Sequence, residues 1–254
     1  MPLDTLYLRE IRLNREKLDG ESYLAGLPVV RHLKRLSLRS PVTFLIGENG
    51  TGKSTLLEAV AVSCGFNPEG GTRNFHFSTA DTHSSLYEAI TVTKGVLRPK
   101  DGFFLRAESF YNLATNIDEL SREGLGRPIV ESYGGVSLHR QSHGESFLSL
   151  VMNRFGGNGL YLLDEPEAAL SPCRQMSLLT AIHDLVKENS QFLIATHSPI
   201  LMAYPGAEIY ELSEKGIRLT GYEETEHYQL TKRFLEEPHR MLQLLLEDSP
   251  DREG

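Results

Sequence analysis

Hydrophobic and polar positions along the chain predict an alternation of strands and helices. Near the N-terminus, apolar and alternating segments over Leu6–Leu13, Val29–Leu38 and Val42–Ile46 predict three strands. Apolar residues then recur at helical spacing across Leu56–Cys64, and Gly65 supplies a stop. The chain is therefore expected to pass from a strand through a glycine-rich loop into a helix.

Two later apolar runs, Gly159–Leu163 and Gln191–Ala195, lack polar alternation. Such runs predict strands that are buried on both faces, as in a parallel sheet covered by helices. A helix is predicted between them, with Ser171 as its N-cap and Pro172 in its first turn. Its inward positions are Leu178, Leu179, Ile182, Leu185 and Val186. The pattern predicts an α/β fold.

The middle of the chain, about 72–157, is richer in Gly, Ser and Asn and has weaker periodicity. Within it, a strand is predicted over Gly102–Arg106 and a helix after Gly144. We therefore expect an inserted, partly helical lobe over 72–157 within a domain that spans 1–225. Further along, Ile209–Leu212 and Ile217–Tyr222 predict a hairpin.

Residues 226–254 predict a helical extension whose two helices are separated at Pro238. Leu242, Leu245 and Leu246 form an apolar stripe on the second of these helices. The stripe has two interpretations, packing on the core or a surface for a partner.

The composition is that of a soluble globular chain that can bury a core, with 254 residues and 40% hydrophobic content. The formal net charge of −8 argues against a protein that coats nucleic acid unaided, because cations drive phosphate binding. No segment approaches the ~18 apolar residues that a membrane span requires. Cys64 and Cys173 show no metal or redox spacing, so we expect two buried thiols in a reducing, cytoplasmic compartment.

The segment FLIGENGTGKST, over 44–55, has the pattern G-x-x-x-x-G-K-[ST]. In this pattern the backbone N–H groups of a loop and of a helix N-terminus surround the phosphates of a nucleotide. Lys53 is expected to reach the β- and γ-phosphates, and the hydroxyl of Ser54 to hold Mg²⁺. The candidate nucleotide-binding residues are Gly47, Asn49, Gly50, Thr51, Gly52, Lys53, Ser54 and Thr55.

Further candidate residues follow the two buried strands. Asp164 is expected to bind Mg²⁺, and Glu165 to orient or deprotonate an attacking water. A solvated strand end is the alternative reading of this carboxylate pair. His197 follows the strand over Gln191–Ala195, where its imidazole can hydrogen-bond the γ-phosphate or the water. A purely structural histidine is the alternative.

The motifs GENGTGKST (47–55), LDEP (163–166) and TH (196–197) together resemble those of the ATP-binding cassette (ABC) type of P-loop ATPases. The tetrapeptide SHGE (142–145) stands where this family has its signature loop, usually Leu-Ser-Gly-Gly-Gln. The amino-acid sequences of 164–172 and 197–201 resemble those of stand-alone ATPases related to RecF, SMC and OLD-type heads more closely than those of transporters. The resemblance spans about Leu6–Leu212.

The resemblance implies a mixed sheet with a helical signature lobe, ATP and Mg²⁺ as cofactors, and two copies that meet head to tail around two ATP molecules. In such a dimer Ser142, Gly144 and Glu145 would contact the nucleotide that the opposite copy binds. A helix cap is the alternative role for Ser142 and Gly144.

The sequence also departs from the family pattern. The family has a glutamine between the phosphate loop and the signature, but no Gln occurs from Thr55 to Arg140. Glu108 and Asn112 are the candidates for its role, and solvated loop residues are the alternative. Ser171 stands where transporters usually have an aspartate at the dimer interface. This difference puts in question the coupling between the two ATP sites of the dimer.

The motifs favour Mg²⁺-dependent ATP hydrolysis by a homodimer that drives a partner. The alternative is an ATP-loaded switch with slow turnover that recruits a protein effector or DNA. A transporter subunit is a third reading, which the missing glutamine weakens, and a kinase fits less well because the paired carboxylates suit attack by water. The histidines show no metal-ligand spacing, and there is no G-x-S-x-G motif for acyl transfer.

Overall fold

The computed structural model describes residues 5–18, 22–72, 84–107, 110 and 143–246, and the strands of these segments form two sheets. The strands are β1 (Leu8–Leu13), β2 (Arg35–Ser37), β3 (Val42–Ile46), β4 (Ile90–Lys94), β5 (Asp101–Arg106), β6 (Gly159–Asp164), β7 (Gln191–Ala195), β8 (Glu208–Ser213) and β9 (Gly216–Thr220). The smaller sheet is antiparallel with the order β2-β1-β4, and the larger has the order β5-β6-β7-β3-β8-β9. Neighbours in the larger sheet are parallel except β8 and β9.

Both faces of the larger sheet are buried beneath helices. The helices of the described segments are α1 (Pro28–His32), α2 (Lys53–Ser63), α3 (Leu86–Ala89), α4 (His143–Arg154), α5 (Pro172–Lys187), α6 (Pro199–Met202), α7 (Glu226–Glu236) and α8 (Pro238–Leu246). On one face Phe44 and Phe192 pack in a core with α4 and α5, and on the other Leu45 and Leu193 pack with α2. The continuous apolar runs of β3, β6 and β7 therefore serve two cores, and the predicted α/β class with a mixed sheet is confirmed.

The register of the larger sheet sets the ends of its central strands side by side. Asp164 at the end of β6 is level with Ala195 of β7 on one side and with Arg106 of β5 on the other. β3 lies beside β7 and leads into the glycine-rich loop. Ligands of such sheets bind outside the carboxyl ends of parallel strands, so this edge is where a site is expected.

The strand predicted over Val29–Leu38 is confirmed only over Arg35–Ser37, which form β2, and is wrong in its first part, where α1 lies. Pro28 takes the first helical position, where its fixed φ angle favours a helix start. The N–H of Val29 donates to the carbonyl oxygen of Thr51 at 3.0 Å, and Val29 and Leu33 are both buried. Packing of α1 on the glycine-rich loop thus overrides the strand preference of the adjacent valines.

Two expectations about burial are also wrong. Leu242, Leu245 and Leu246 of α8 are 41%, 70% and 76% exposed, so the stripe does not pack on the core. Its role as a partner surface stays a prediction. Cys64 is buried as expected, but Cys173 is exposed in the first turn of α5.

The expected lobe over 72–157 falls largely outside the described residues. Its described parts give β4 and β5 to the two sheets and α4 to the core. The division into 1–225 and 226–254 stays a prediction, and the predicted hairpin is formed by β8 and β9. No helix among the described residues is both long enough and apolar enough to cross a bilayer.

Candidate functional site

The loop between β3 and α2 requires glycine for its conformation and for close packing. Gly47, Gly50 and Gly52 have φ angles of 138°, 83° and 92°, a region that residues with a Cβ atom rarely adopt. A Cβ atom on Gly47 would lie 2.1 Å from the carbonyl oxygen of Leu212. One on Gly52 would lie 2.4 Å from Cγ1 of Val29, whereas Gly50 faces open space. The loop therefore packs against Leu212 and Val29 at two of its glycines, and its backbone at Gly50 is open to a ligand.

The remaining loop residues differ in exposure. Asn49 is exposed at the tip, and Thr55 is half-buried in the first turn of α2. Thr51 is buried, and its hydroxyl donates to the carbonyl oxygen of Glu48 at 2.8 Å. The side chain of Thr51 thus stabilises the loop itself.

The loop encloses the ammonium group of Lys53, which is only 4% exposed. Its Nζ donates to the carbonyl oxygens of Gly47 at 2.8 Å and Glu48 at 3.1 Å. Burial lowers the pKa of Lys53, and the nearby carboxylates of Glu165 and Asp164 act in the opposite direction. An ammonium carries three N–H donors. With two of them directed at loop carbonyls in the described structure, one remains for a phosphate oxygen.

Ser54 and Asp164, the two candidate magnesium ligands, lie within hydrogen-bond distance of each other. The hydroxyl of Ser54 donates to Oδ1 of Asp164 at 2.9 Å, and Asp164 is buried at the end of β6. Mg²⁺ usually takes one or two protein oxygens and fills its shell with water and nucleotide phosphates. Within the described ranges no three His, Cys, Asp or Glu side chains gather around a common point. The residues therefore fit a magnesium ion that shares its shell with a nucleotide.

Glu165 adopts a backbone conformation that is unusual for a residue with a side chain. Its φ angle is 47°, and it directly precedes Pro166, which disfavours helical angles at this position. The N–H of Glu165 donates to the carbonyl oxygen of Ala195 at 2.9 Å, which ties the turn to β7. Its Oε1 lies 3.6 Å from Nε2 of His197. Such strained conformations concentrate at functional sites, and here the strain directs a carboxylate toward the histidine.

His197 is fixed through its main chain and presents a neutral ring. Its backbone N–H donates to Oε1 of Glu167 at 2.5 Å. Burial lowers the pKa of His197, as does Lys53, while Glu165 acts against them, so the ring is neutral at pH 7. Nε2 is buried and has no hydrogen-bond partner among the described residues. This nitrogen fits a site that holds an oxygen of a phosphate or of water.

Arg106 reaches the same site from the end of β5. Its Nη1 donates to Oε2 of Glu58 on α2 at 2.9 Å, and its Nε lies 3.7 Å from Oδ2 of Asp164. The side chains of Arg106 and Glu58 are only 17% and 10% exposed. This buried network connects α2 with the candidate magnesium ligand Asp164.

A cavity of about 540 Å³ lies beside this network, within the size range of small-molecule sites. Its described lining residues are Ser54, Arg106, Ala107, Asp164, Glu165, Ala168 and Ala169. The open space thus lies beside Ser54 and Asp164, and Lys53 is not among its described lining residues.

We expect Arg106→Met to lower the free energy of unfolding by about 3 kcal/mol, because Glu58 would stay buried without its counter-charge. The double variant with Glu58→Met should recover part of this loss, since the buried charge of Glu58 is then removed, whereas Asp164 still lacks Arg106 and the N–H of Ser84 loses its acceptor. Urea denaturation measures both changes. Arg240→Met, which breaks an exposed pair with Glu237, is the control and should change stability by less than about 1 kcal/mol. A double variant as unstable as the single one would contradict the role of Glu58.

Several predicted residues fall outside the described residues. These are Ser142 of the signature candidate, and Glu108 and Asn112, the candidates for the role of the missing glutamine. Ser171 occupies the N-cap position of α5 as predicted, although its side chain makes no capping hydrogen bond.

Gly144 and Glu145 lie next to the turn that follows Glu165. A Cβ atom on Gly144 would lie 2.7 Å from the carbonyl oxygen of Ala169. The carboxylate of Glu145 pairs with Arg174 of α5 at 3.0 Å. Neither is among the described residues that line the cavity. Their predicted role toward a nucleotide held by a second copy stays a prediction.

Four residues at the site were not among the candidate site residues predicted from the sequence, namely Glu58, Arg106, Glu167 and His227. The predicted strand over Gly102–Arg106 ends at Arg106, but its place beside Asp164 depends on the parallel pairing of β5 with β6. Glu58 lies on α2 one turn after Ser54. Glu167 and His227 give no signal, because they contact a backbone N–H and an imidazole that are distant in the sequence.

Two family models match the chain. One, described as "AAA domain", matches residues 23–117 and contains the glycine-rich loop. The other, described as "AAA domain, putative AbiEii toxin, Type IV TA system", matches residues 131–203 and contains Asp164, Glu165 and His197.

Curated proteins align with most of the chain at low identity. A cobalt import ATP-binding protein, CbiO, from Salmonella typhi is 26% identical over 242 residues, which cover 86% of this chain and 88% of that protein. An uncharacterized ABC transporter ATP-binding protein from Haemophilus influenzae is 24% identical over 209 residues, which cover 75% and 76%. A thiamine import ATP-binding protein, ThiQ, from a Ruegeria species is 29% identical over 179 residues, which cover 61% and 70%.

One solved structure gives a match of fold. An ATP-binding cassette of an ABC transporter aligns with a TM-score of 0.50 and 18% identity, covering 93% of this chain and 97% of that one. An SMC head domain from Thermotoga maritima aligns with a TM-score of 0.43 and 14% identity, covering 85% and 98%.

Proposed function

The chain belongs to the AAA/ABC-type P-loop ATPases, a family of ATP-binding domains, and on this premise we propose that it hydrolyses ATP with Mg²⁺. We further propose that two copies close head to tail on the nucleotide and that opening after hydrolysis drives or switches a partner.

The observation that supports this proposal best is the convergence of three chain segments at one edge of the larger sheet. Ser54 and Asp164 are joined at 2.9 Å, and Glu165 lies 3.6 Å from His197. Lys53 is buried under the loop that precedes them. A metal-binding pair, a proton acceptor and a neutral imidazole beside a phosphate loop are the parts that phosphoryl transfer to water requires.

In the proposed reaction, a water molecule attacks the γ-phosphorus while the bond from that phosphorus to the oxygen of ADP breaks. Glu165 accepts the proton that the water loses, and Nε2–H of His197 donates to a γ-phosphate oxygen. Lys53 neutralises the β- and γ-phosphates as charge moves to the leaving oxygen. Ser54 and Asp164 would hold Mg²⁺, which when bound offsets the negative charge of the phosphate oxygens.

The dimer is proposed from the signature candidate. Glu145 is exposed, and neither it nor Gly144 is among the described residues that line the cavity of their own copy. Residues 142–145 would then complete the site of a second copy, so one copy alone would be inefficient. A protein effector is the proposed partner, and DNA is less favoured because the chain has a net charge of −8. A slow ATP-loaded switch is the alternative output of the same site.

An ATP-binding subunit of an importer is a second candidate, because curated relatives with that description align with most of the chain. Such a subunit works with a membrane partner. The absence of Gln from Thr55 to Arg140 weighs against this reading.

The purified chain should release phosphate from ATP, and removal of Mg²⁺ by EDTA should slow the release on the order of 100-fold or more. Size-exclusion chromatography with ATP should show a dimer, because two copies share the nucleotides. A rate of ATP hydrolysis that is unchanged by EDTA would contradict the proposed metal site. Hydrolysis without any dimer would contradict the role of residues 142–145.

A further inference from the structure

The imidazole of His197 has a second neighbour, contributed by the C-terminal helices. Nδ1 of His197 lies 3.3 Å from Nε2 of His227, and the two ring centroids are 5.5 Å apart. His227 lies in the first turn of α7, beyond the segments that carry the ATPase motifs.

The first turn of α7 is held firmly in place. Thr225, the N-cap of α7, is fully buried, and its hydroxyl donates to the carbonyl oxygen of Tyr222 at 2.8 Å and accepts from the N–H of Tyr228 at 3.2 Å. The rings of Tyr222 and Tyr228 lie 4.7 Å apart, and Tyr222 packs against the core. His227 is therefore presented to His197 by a fixed element.

Two facing imidazole nitrogens at hydrogen-bond distance require that one carries a proton and the other accepts it. In the first arrangement, His227 donates from Nε2 and His197 accepts at Nδ1, so His197 carries its own proton on Nε2. That N–H then faces the carboxylate of Glu165 at 3.6 Å. Nε2 of His197 and Nδ1 of His227 both lack a hydrogen bond among the described residues, but in this arrangement the donor of the two faces a carboxylate and the other nitrogen, Nδ1 of His227, is only an acceptor.

In the second arrangement, His197 donates from Nδ1 and His227 accepts at Nε2. The lone pair on Nε2 of His197 would then face the carboxylate of Glu165. In addition, Nδ1 of His227 would be a buried N–H without an acceptor in the described structure. Buried donors without partners are rarer than buried acceptors without them, so both features disfavour this arrangement.

A third possibility, in which one of the two histidines is protonated on both nitrogens, is disfavoured. Burial lowers the pKa of both histidines, and the proximity of His197 lowers that of His227 further. Two neutral rings in the first arrangement are therefore the expected state.

We propose that His227 is a positioning residue that holds His197 in the tautomer with its proton on Nε2. This inference rests on the proposed function, because the N–H at Nε2 of His197 is the group that donates a hydrogen bond to a γ-phosphate oxygen in the proposed reaction. Without His227, the ring of His197 would exchange between its two neutral tautomers. In the tautomer with the proton on Nδ1, the lone pair on Nε2 would face the phosphate oxygens and repel them.

Kinetics of the full chain test this role. His227→Phe keeps an aromatic ring but has no N–H, and we expect kcat to fall about tenfold while KM for ATP changes less than about twofold. His227→Gln keeps an N–H donor and should retain at least half of the wild-type kcat. His239→Phe, which changes an exposed histidine of α8, is the control and should leave kcat unchanged. If His227→Gln falls as far as His227→Phe, or if neither changes kcat, the proposal is overturned.

Nitrogen-15 spectra of the histidines in the nucleotide-free wild-type chain provide a test that needs no turnover and no variant. Nδ1 of His197 should show the shift of an unprotonated nitrogen and Nε2 that of an N–H. A ring protonated on Nδ1 would overturn the proposal even in an active enzyme. Conversely, a chain with the expected spectrum that does not hydrolyse ATP would reject the proposed function and leave the assignment of His227 standing.

Discussion

Replacing Glu165 by glutamine is expected to reduce ATP turnover by on the order of 1,000-fold, because Gln has the shape of Glu but does not accept a proton from water. ATP affinity should change less than about threefold, since Lys53 and the loop amides remain. The ATP-bound dimer should accumulate, because opening depends on hydrolysis. Phosphate release and size-exclusion chromatography, in which the 28.5 kDa chain should double in mass with ATP, measure these effects.

The control for this experiment is Glu236→Gln, which changes an exposed carboxylate on α7 and should leave turnover unaltered. If Glu165→Gln retained more than a tenth of the wild-type rate, another group would have to act as the base. If turnover stopped without an ATP-dependent dimer, Glu165 would keep its role and the proposed closure of two copies would fail.

The sequence predicts the parts of the site that depend on local geometry. The loop over 47–52 requires positive φ angles at fixed spacings, so its glycines carry a recognisable pattern. Asp164 and His197 follow runs of apolar residues that need burial on both faces of a sheet, which places them at its carboxyl edge. Local constraints of this kind leave a trace in the residue pattern.

The features that the sequence does not predict depend on contacts between distant segments. Val29 and Val30 favour a strand, yet the hydrogen bond from Val29 to the loop at Thr51 holds them in a helix. Arg106 pairs with Glu58 and Asp164, which lie 48 and 58 positions away in the chain. No periodicity encodes such pairings, because they arise only from strand order and register.

The contacts of Arg106 also bear on the missing glutamine. Arg106 lines the cavity next to Ser54 and Asp164, and it connects β5 with α2 through Glu58. A change in the charge at Asp164 would therefore act, through Arg106, on both β5 and α2. Glu108 and Asn112, the residues expected to take the role of the glutamine, follow β5 in the sequence and lie outside the described residues.

Replacing Lys53 by methionine is expected to weaken ATP binding by at least about 100-fold, because the charged contacts with the β- and γ-phosphates would be lost from a buried position. AMP, which lacks those phosphates, should bind nearly as it does to the wild type, so the preference for ATP over AMP should collapse. Calorimetry with AMP and with a non-hydrolysable ATP analogue plus Mg²⁺ measures both affinities. Lys94→Met, which changes an exposed lysine of β4, is the control. An unchanged affinity of Lys53→Met for the analogue would mean that the triphosphate does not lie in the loop over 47–52, and the proposed reaction would then lose its substrate site.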